Sequence, residues 1–190
     1  MNKLKLVDMV ESQMIASVKS EEDLKHALTS NVNIVFLLTG NLMTIANYIE
    51  QLRKADKHVF LHMDFIDGIS NSRSALSYVA EYWKPTGIIT TKSNVVKAAK
   101  ELGLKTIQRI FLLDQAAVEK GIEMVKSCQP DAVEILPGII PKVIDQLSRD
   151  LQYPIIAGGL ITDLSEVHEA LQAGALAVSS GDPEMWQFDL

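Results

Sequence analysis

The sequence predicts an α/β protein, a compact TIM-type (β/α)8 barrel with minimal loops and a short last helix. Three observations carry this expectation. The apolar pattern switches repeatedly between period 2 and period 3.6, so short strand-like runs alternate with amphipathic helical stretches. Eight strand runs occur, and strict βα alternation implies parallel strands joined by helical crossovers, a number that favours closure. No strand leads into G-x-G-x-x-G, which weighs against the runner-up, a doubly wound open sheet.

The first strand is Gln13–Val18, with Ser20 placed to cap a helix running toward Thr29 and Asp23 three positions on. Val32–Leu38 is a continuous apolar run, as expected of a strand buried on both faces. Thr39-Gly40-Asn41 turns it into a helix over Leu42–Ala55. The third strand is His58–Asp64, followed by a helix near Ala75–Trp83. Gly87–Thr91 is the fourth, with Ser93 capping Asn94–Leu102 and Gly103 ending it. Leu104–Ile110 is the fifth, and Asp114 caps a helix to Cys128. The sixth, Asp131–Leu136, precedes a helix with Pro141 in its first turn. The seventh is Tyr153–Ala157, Thr162 caps the next helix, Gly174 ends it, and the eighth strand follows at once. Pro183–Phe188 forms the brief last helix, with Trp186 and Phe188 docking it on the barrel.

At 190 residues, 47% hydrophobic, residues 1–190 make one barrel domain, shorter than the usual barrel of about 250 residues. The formal charge of −6 gives no general attraction to nucleic acid or anionic membrane. No run approaches the roughly 18 apolar residues of a membrane span, and the N-terminus lacks a signal-peptide pattern, so a cytoplasmic protein without membrane contact is expected. The sole cysteine, Cys128, excludes an intramolecular disulfide and reads as a helix-packing residue.

Strand alternation sorts the polar side chains. Val59, Leu61 and Met63 form the helix-facing side of the third strand, so His58, Phe60, His62 and Asp64 point inward, the last two nearest the ligand mouth. Val133 and Ile135 likewise turn Ala132, Glu134 and Leu136 inward. Gln108 shares a face with Leu104 and Thr106 and is placed inward; Lys92 alternates with Ile88 and Thr90 at the top of strand four. Arg109 has the opposite parity to Gln108, at a strand end where a twist or bulge would re-aim it. A buried Glu134 needs a cation or donors, which Lys92, Arg109 or His62 could supply. These groups either form a satisfied polar layer or bind a small ligand. Their common place at C-terminal strand ends favours the ligand-binding reading for His62, Asp64, Lys92, Gln108, Arg109 and Glu134. No tight spacing supports a metal site, and no residue is assigned a catalytic role.

The seventh strand ends in Gly158-Gly159 and the eighth in Ser179-Ser180-Gly181. Glycines let backbone N–H groups approach an anion, and a following helix start adds a positive dipole end. In a (β/α)8 barrel the loops after strands seven and eight often hold phosphate. Gly158, Gly159, Ser179, Ser180 and Gly181 are therefore the candidate phosphate-binding residues, with plain turn punctuation as the alternative reading of the glycines.

Several of these segments resemble one family. His62-Met63-Asp64-Phe65-Ile66-Asp67-Gly68-Ile69, Gly87-Ile88-Ile89-Thr90-Thr91-Lys92-Ser93 and Thr106-Ile107-Gln108-Arg109-Ile110-Phe111-Leu112-Leu113-Asp114 are similar to segments of the glycerol uptake operon antiterminator regulatory proteins. So are Pro130–Gly138, Ala157–Ile161 and Glu184-Met185-Trp186, in the same order, over nearly the whole chain. The resemblance implies a non-catalytic barrel without a cofactor. Its effector ligand would be glycerol 3-phosphate, its partner the leader mRNA of a glycerol-utilisation operon, and its effect transcription antitermination. It leaves a homo-oligomer open. Given the acidic chain, an RNA surface requires a local basic patch, for which Lys97, Lys100 and Lys105 are candidates. The alternative is a barrel enzyme for a small phosphorylated substrate, with Glu134 or His62 as general base and Lys92 as electrostatic stabiliser.

Overall fold

The computed structural model describes residues 5–188. Eight parallel strands close into a barrel in sequence order. They are β1 (Met14–Val18), β2 (Ile34–Leu37), β3 (His58–His62), β4 (Gly87–Thr90), β5 (Lys105–Phe111), β6 (Ala132–Leu136), β7 (Ile155–Gly158) and β8 (Ala177–Ser180). Pairing of Met14, Ile15 and Ala16 with Val178, Ser179 and Ser180 closes it, which excludes the open sheet.

Seven helices alternate with the strands: α1 (Glu21–Thr29), α2 (Ile45–Lys54), α3 (Arg73–Tyr78), α4 (Ser93–Glu101), α5 (Gln115–Cys128), α6 (Pro141–Asp150) and α7 (Leu164–Gln172). Their starts follow local chemistry. Ser20 accepts from the Asp23 amide at 3.1 Å and Asp114 from the Ala117 amide at 2.8 Å, satisfying donors that the first helical turn leaves unpaired. Pro141 occupies the first turn of α6. Two caps shift by one residue from expectation. Lys92 rather than Ser93 precedes α4, and Asp163 rather than Thr162 caps α7, because Asp163 forms a reciprocal capping box with Glu166. The α3 segment continues through a π turn at Val79–Trp83 and stops at Lys84, whose φ is +50°. The last helix is a 3-10 turn, Pro183–Gln187. Among the described residues no helix is long and apolar enough to cross a membrane.

Two apolar cores result. The larger lies between sheet and helices. The smaller fills the barrel, with each strand giving an inward residue: Ile15, Phe36, Phe60, Ile89, Ile107, Ala132, Ile156 and Ala177. Leu6, beside the 3-10 turn Val7–Met9, packs into this inner core from below the strands, a plug that the sequence pattern did not signal. The interior is thus solid at the N-terminal end of the strands, and any ligand must enter at the other.

Candidate functional site

Above the apolar layer, the inner face of the barrel turns polar. Ser17, His62, Arg109, Glu134 and Ser179 occupy the next inward position of β1, β3, β5, β6 and β8, and all five are buried. Arg109 and Glu134 are register partners. The Arg109 Nε donates to Glu134 Oε2 at 2.5 Å. Ser179 Oγ donates to the other carboxylate oxygen, Oε1, at 2.7 Å. The pair is almost fully removed from water, where each charge requires its partner. Only Nε of the guanidinium is bonded among the described residues, so its terminal nitrogens remain available to a ligand.

The strand between them, β7, crosses beneath this bridge at Gly158. A Cβ there would lie 2.4 Å from Ser179 Oγ and 2.8 Å from Glu134 Oε1. Gly158 therefore makes room for the bridge rather than walling the cavity.

A cavity of about 440 Å³ opens above the bridge. Of the residues expected to bind phosphate, Gly159, Ser179, Ser180 and Gly181 line it; of those expected to bind the rest of a ligand, Arg109 and Glu134 do. The sequence reading missed Ser17, Lys19, Leu38, Thr162 and Asp182, which also line it, and Leu136, Leu160, Ile161 and Pro183 complete the wall. Lys19 matters most. It follows β1, and closure of β1 on β8 sets its ammonium against Gly181, where a Cβ would stand 2.4 Å from Nζ. Among the described residues no carboxylate pairs with it. The wall also holds its shape from behind. Trp186 is fully buried and its Nε1 donates to the Ser180 carbonyl at 2.9 Å, as the expected docking of the last turn requires. Phe188 is partly exposed. An unpaired ammonium, the backbone of Gly159 and Gly181 and the Ser180 hydroxyl thus meet on one wall of the cavity, with Asp182 beside them.

His62 tops β3, with 1% of its surface exposed. Neither ring nitrogen has a hydrogen-bond partner. Phe65 packs edge-on at 4.5 Å between ring centres. Burial, reinforced by the Arg109 charge, lowers its pKa from 6.5 to about 3, so the ring is neutral at pH 7.

The remaining expected residues sit elsewhere. Asp64 leaves the strand on a 3-10 turn, Met63–Phe65, and accepts from Thr90 Oγ1 at 2.9 Å and the Thr91 amide at 3.2 Å. It also pairs with Lys92 Nζ at 2.9 Å. Burial pushes its pKa up, but the Lys92, Thr90 and Thr91 bonds together hold it below the usual carboxylate range. Asp64 and Lys92 thus staple β3 to β4 and do not line the mouth cavity. Gln108 faces the helices, correcting its inward placement: it bonds to Ser93 Oγ, the Thr90 carbonyl and Cys128 Sγ. The parity in β4 and β5 is set by Ile89 and Ile107, which fill the barrel and turn Arg109 inward by ordinary alternation. Lys105, a candidate for a basic patch, is spent on Asp131 at 3.3 Å. Among the described residues no three His, Cys, Asp or Glu side chains converge to hold a metal.

Comparison with known proteins follows this geometry. Residues 14–186 match the model of a family described as glycerol-3-phosphate responsive antiterminator. The crystal structure of the glycerol uptake operon antiterminator regulatory protein from Listeria monocytogenes str. 4b F2365 superposes with a TM-score of 0.88 at 30% identity, covering 93% of this chain and 95% of that one. A glycerol uptake operon antiterminator-related protein from Thermotoga maritima MSB8 gives 0.83 at 30% identity, covering 95% and 100%. The uncharacterized protein YgcP of Escherichia coli (strain K12) is 33% identical over 176 residues, 93% of this chain and 92% of its own. Orotidine 5'-phosphate decarboxylase from Pyrococcus horikoshii OT3, at 17% identity and a TM-score of 0.67, shares the barrel fold. With its barrel closed by β1 against β8 and residues 14–186 of its sequence matched, the chain belongs to the glycerol-3-phosphate responsive antiterminator family.

Proposed function

We propose that this protein senses glycerol 3-phosphate at the barrel mouth and, when loaded, binds the leader mRNA of a glycerol-utilisation operon to promote antitermination. The observation that carries the reading is the unpaired Lys19 ammonium set against the bare backbone of Gly181, beside Gly159 and Ser180. A phosphate monoester placed there meets a cation and backbone N–H groups at once. Arg109, with its terminal nitrogens uncommitted, lies deeper and suits a glycerol hydroxyl or a phosphate oxygen. His62 offers a neutral ring without hydrogen-bond partners in the same polar layer, with Asp64 Oδ2 3.8 Å from its Nδ1.

The geometry weighs against the enzymatic alternative. Glu134 is held by Arg109 and Ser179, which leaves neither carboxylate oxygen free to act as a general base. A ring that protonates near pH 3 is a weak base at neutral pH. Lys92 is tied to Asp64, away from the cavity. The effector enters as a ligand, and it acts only by binding one conformational state better than another.

Calorimetric titration of the protein with glycerol 3-phosphate tests this, with glycerol and inorganic phosphate as controls. Saturable binding selective for the phosphoester is expected. Equal binding of inorganic phosphate would remove the glycerol moiety from the reading. Conversion of the phosphoester to another compound would replace the sensor with an enzyme.

A further inference from the structure

Four charged side chains line the mouth cavity, Lys19, Arg109, Glu134 and Asp182, and their charges cancel. They are not equally engaged. Glu134 commits both carboxylate oxygens, one to Arg109 and one to Ser179. Lys19 and Asp182 form no ion pair, with each other or with any other described residue. Lys19 follows β1 and Asp182 follows β8, the two strands that close the barrel. The rim of the cavity therefore carries one unpaired cation and one unpaired anion.

Asp182 is fixed where it stands. Its amide donates to Ser180 Oγ at 3.2 Å, and its Oδ1 accepts from the Glu184 amide at 3.0 Å, which caps the last 3-10 turn. That turn is anchored by buried Trp186, whose Nε1 donates to the Ser180 carbonyl. Oδ2 has no hydrogen-bond partner among the described residues, so it is the one uncommitted carboxylate oxygen of the cavity lining. A cap needs a single acceptor oxygen, which an uncharged Ser or Asn supplies as well as Asp. The negative charge is thus more than the turn requires. It stands beside Gly181 and Lys19, where it opposes a phosphate.

We infer that Asp182 sets the selectivity of the mouth cavity: it admits a phosphomonoester whose other end is an uncharged polyol and turns away one that carries a second anionic group, a carboxylate or another phosphate. The inference rests on the reading of this cavity as the glycerol 3-phosphate site. A phosphomonoester brings nearly two negative charges at neutral pH, and the rim sets one ammonium and backbone N–H groups against them. A further anion finds no unpaired cation left in the cavity. Arg109 would otherwise draw a carboxylate inward, but its charge is already countered by Glu134. A ligand hydroxyl can donate to the free Oδ2 of Asp182, whereas a carboxylate meets a like charge there, in a cavity where water screens it poorly. Selectivity then comes from a repulsive group as well as from attractive ones.

The test compares glycerol 3-phosphate with 3-phosphoglycerate, which has the same phosphoester and a carboxylate in place of the terminal hydroxymethyl group. Calorimetry gives both affinities for the wild type and for Asp182→Asn, whose amide oxygen keeps the cap. The wild type is expected to prefer glycerol 3-phosphate by at least about tenfold. Asp182→Asn is expected to raise the affinity for 3-phosphoglycerate about tenfold more than that for glycerol 3-phosphate. Asp114→Asn removes the same charge from the α5 cap, outside the cavity, and is expected to leave the ratio of affinities at the wild-type value. The ratio is the deciding readout, because a merely structural role of Asp182 moves both affinities together. Should Asp182→Asn fail to fold in a thermal melt, the wild-type ratio decides, and it is expected to narrow as salt is raised. No preference in the wild type, a ratio unchanged in folded Asp182→Asn, or a ratio indifferent to salt would overturn the inference while the sensor reading stands. Failure of the wild type to bind either compound would overturn the sensor reading and this inference with it.

Discussion

Ser179 Oγ donates to Glu134 Oε1 at 2.7 Å across the bare backbone of Gly158, so that a hydroxyl of β8 and a carboxylate of β6 meet over the strand that separates them. The same carboxylate holds Arg109, and one buried acid therefore organises three strands at the base of the mouth cavity. Replacing Gly158 with alanine puts a Cβ inside both partners. The expected cost is about 2 kcal/mol of stability, seen as a lower denaturant midpoint, together with loss of effector binding. A variant as stable as the wild type would contradict the bridge.

Removing the acid itself has a larger effect. Glu134→Gln leaves Arg109, 6% exposed, without a counter-charge. The expected destabilisation is about 3 to 5 kcal/mol, measured by urea unfolding. Glu134→Gln with Arg109→Met is expected to recover much of that loss, because the stranded charge is gone.

Gly181 makes the opposite case to Gly158. The added Cβ of Gly181→Ala meets the end of the flexible Lys19 side chain, which can move aside. Stability is expected to stay within about 0.5 kcal/mol of wild type, while affinity for glycerol 3-phosphate falls. Lys19→Met is expected to weaken it about tenfold to a hundredfold, the range for a lost charge-assisted hydrogen bond. Calorimetry and thermal melts on the same samples separate the two effects.

His62 gives the protein a characteristic acid response. Its pKa falls from 6.5 to about 3 on folding, mainly through burial and then through Arg109. Between these values the unfolded chain binds the extra proton, so stability falls as the pH drops through this window, by about 1.4 kcal/mol per pH unit. The contribution is absent above about pH 6.5 and levels off below about pH 3. Subtracting the profile of His62→Leu from that of the wild type isolates it. Parallel profiles would show that the ring is not buried as a neutral group.

The number, order and direction of the strands were legible in the sequence because each is an apolar run closed by a cap, a glycine or a proline. The same two-sided burial hid which way each side chain points. In β5, Gln108 and Arg109 are neighbours that are both buried, and no apolar-polar alternation distinguishes the barrel side from the helix side. Gln108 is at home among Ser93, Thr90 and Cys128, so its polarity carried no information about a ligand. The small residues at the ends of β7 and β8 were legible as a place where backbone lies open, and Gly159, Ser179, Ser180 and Gly181 do line the mouth cavity. Lys19 was not, since no motif surrounds it and only closure of the first strand on the last places it beside Gly181.

A crystal structure of the protein soaked with glycerol 3-phosphate tests the central claim most directly. The account expects the phosphate between Gly159 and Gly181 with Lys19 Nζ within hydrogen-bond distance, and the glycerol moiety directed toward Arg109. Ligand density elsewhere on the molecule, or an empty mouth in a crystal saturated with the compound, would contradict it.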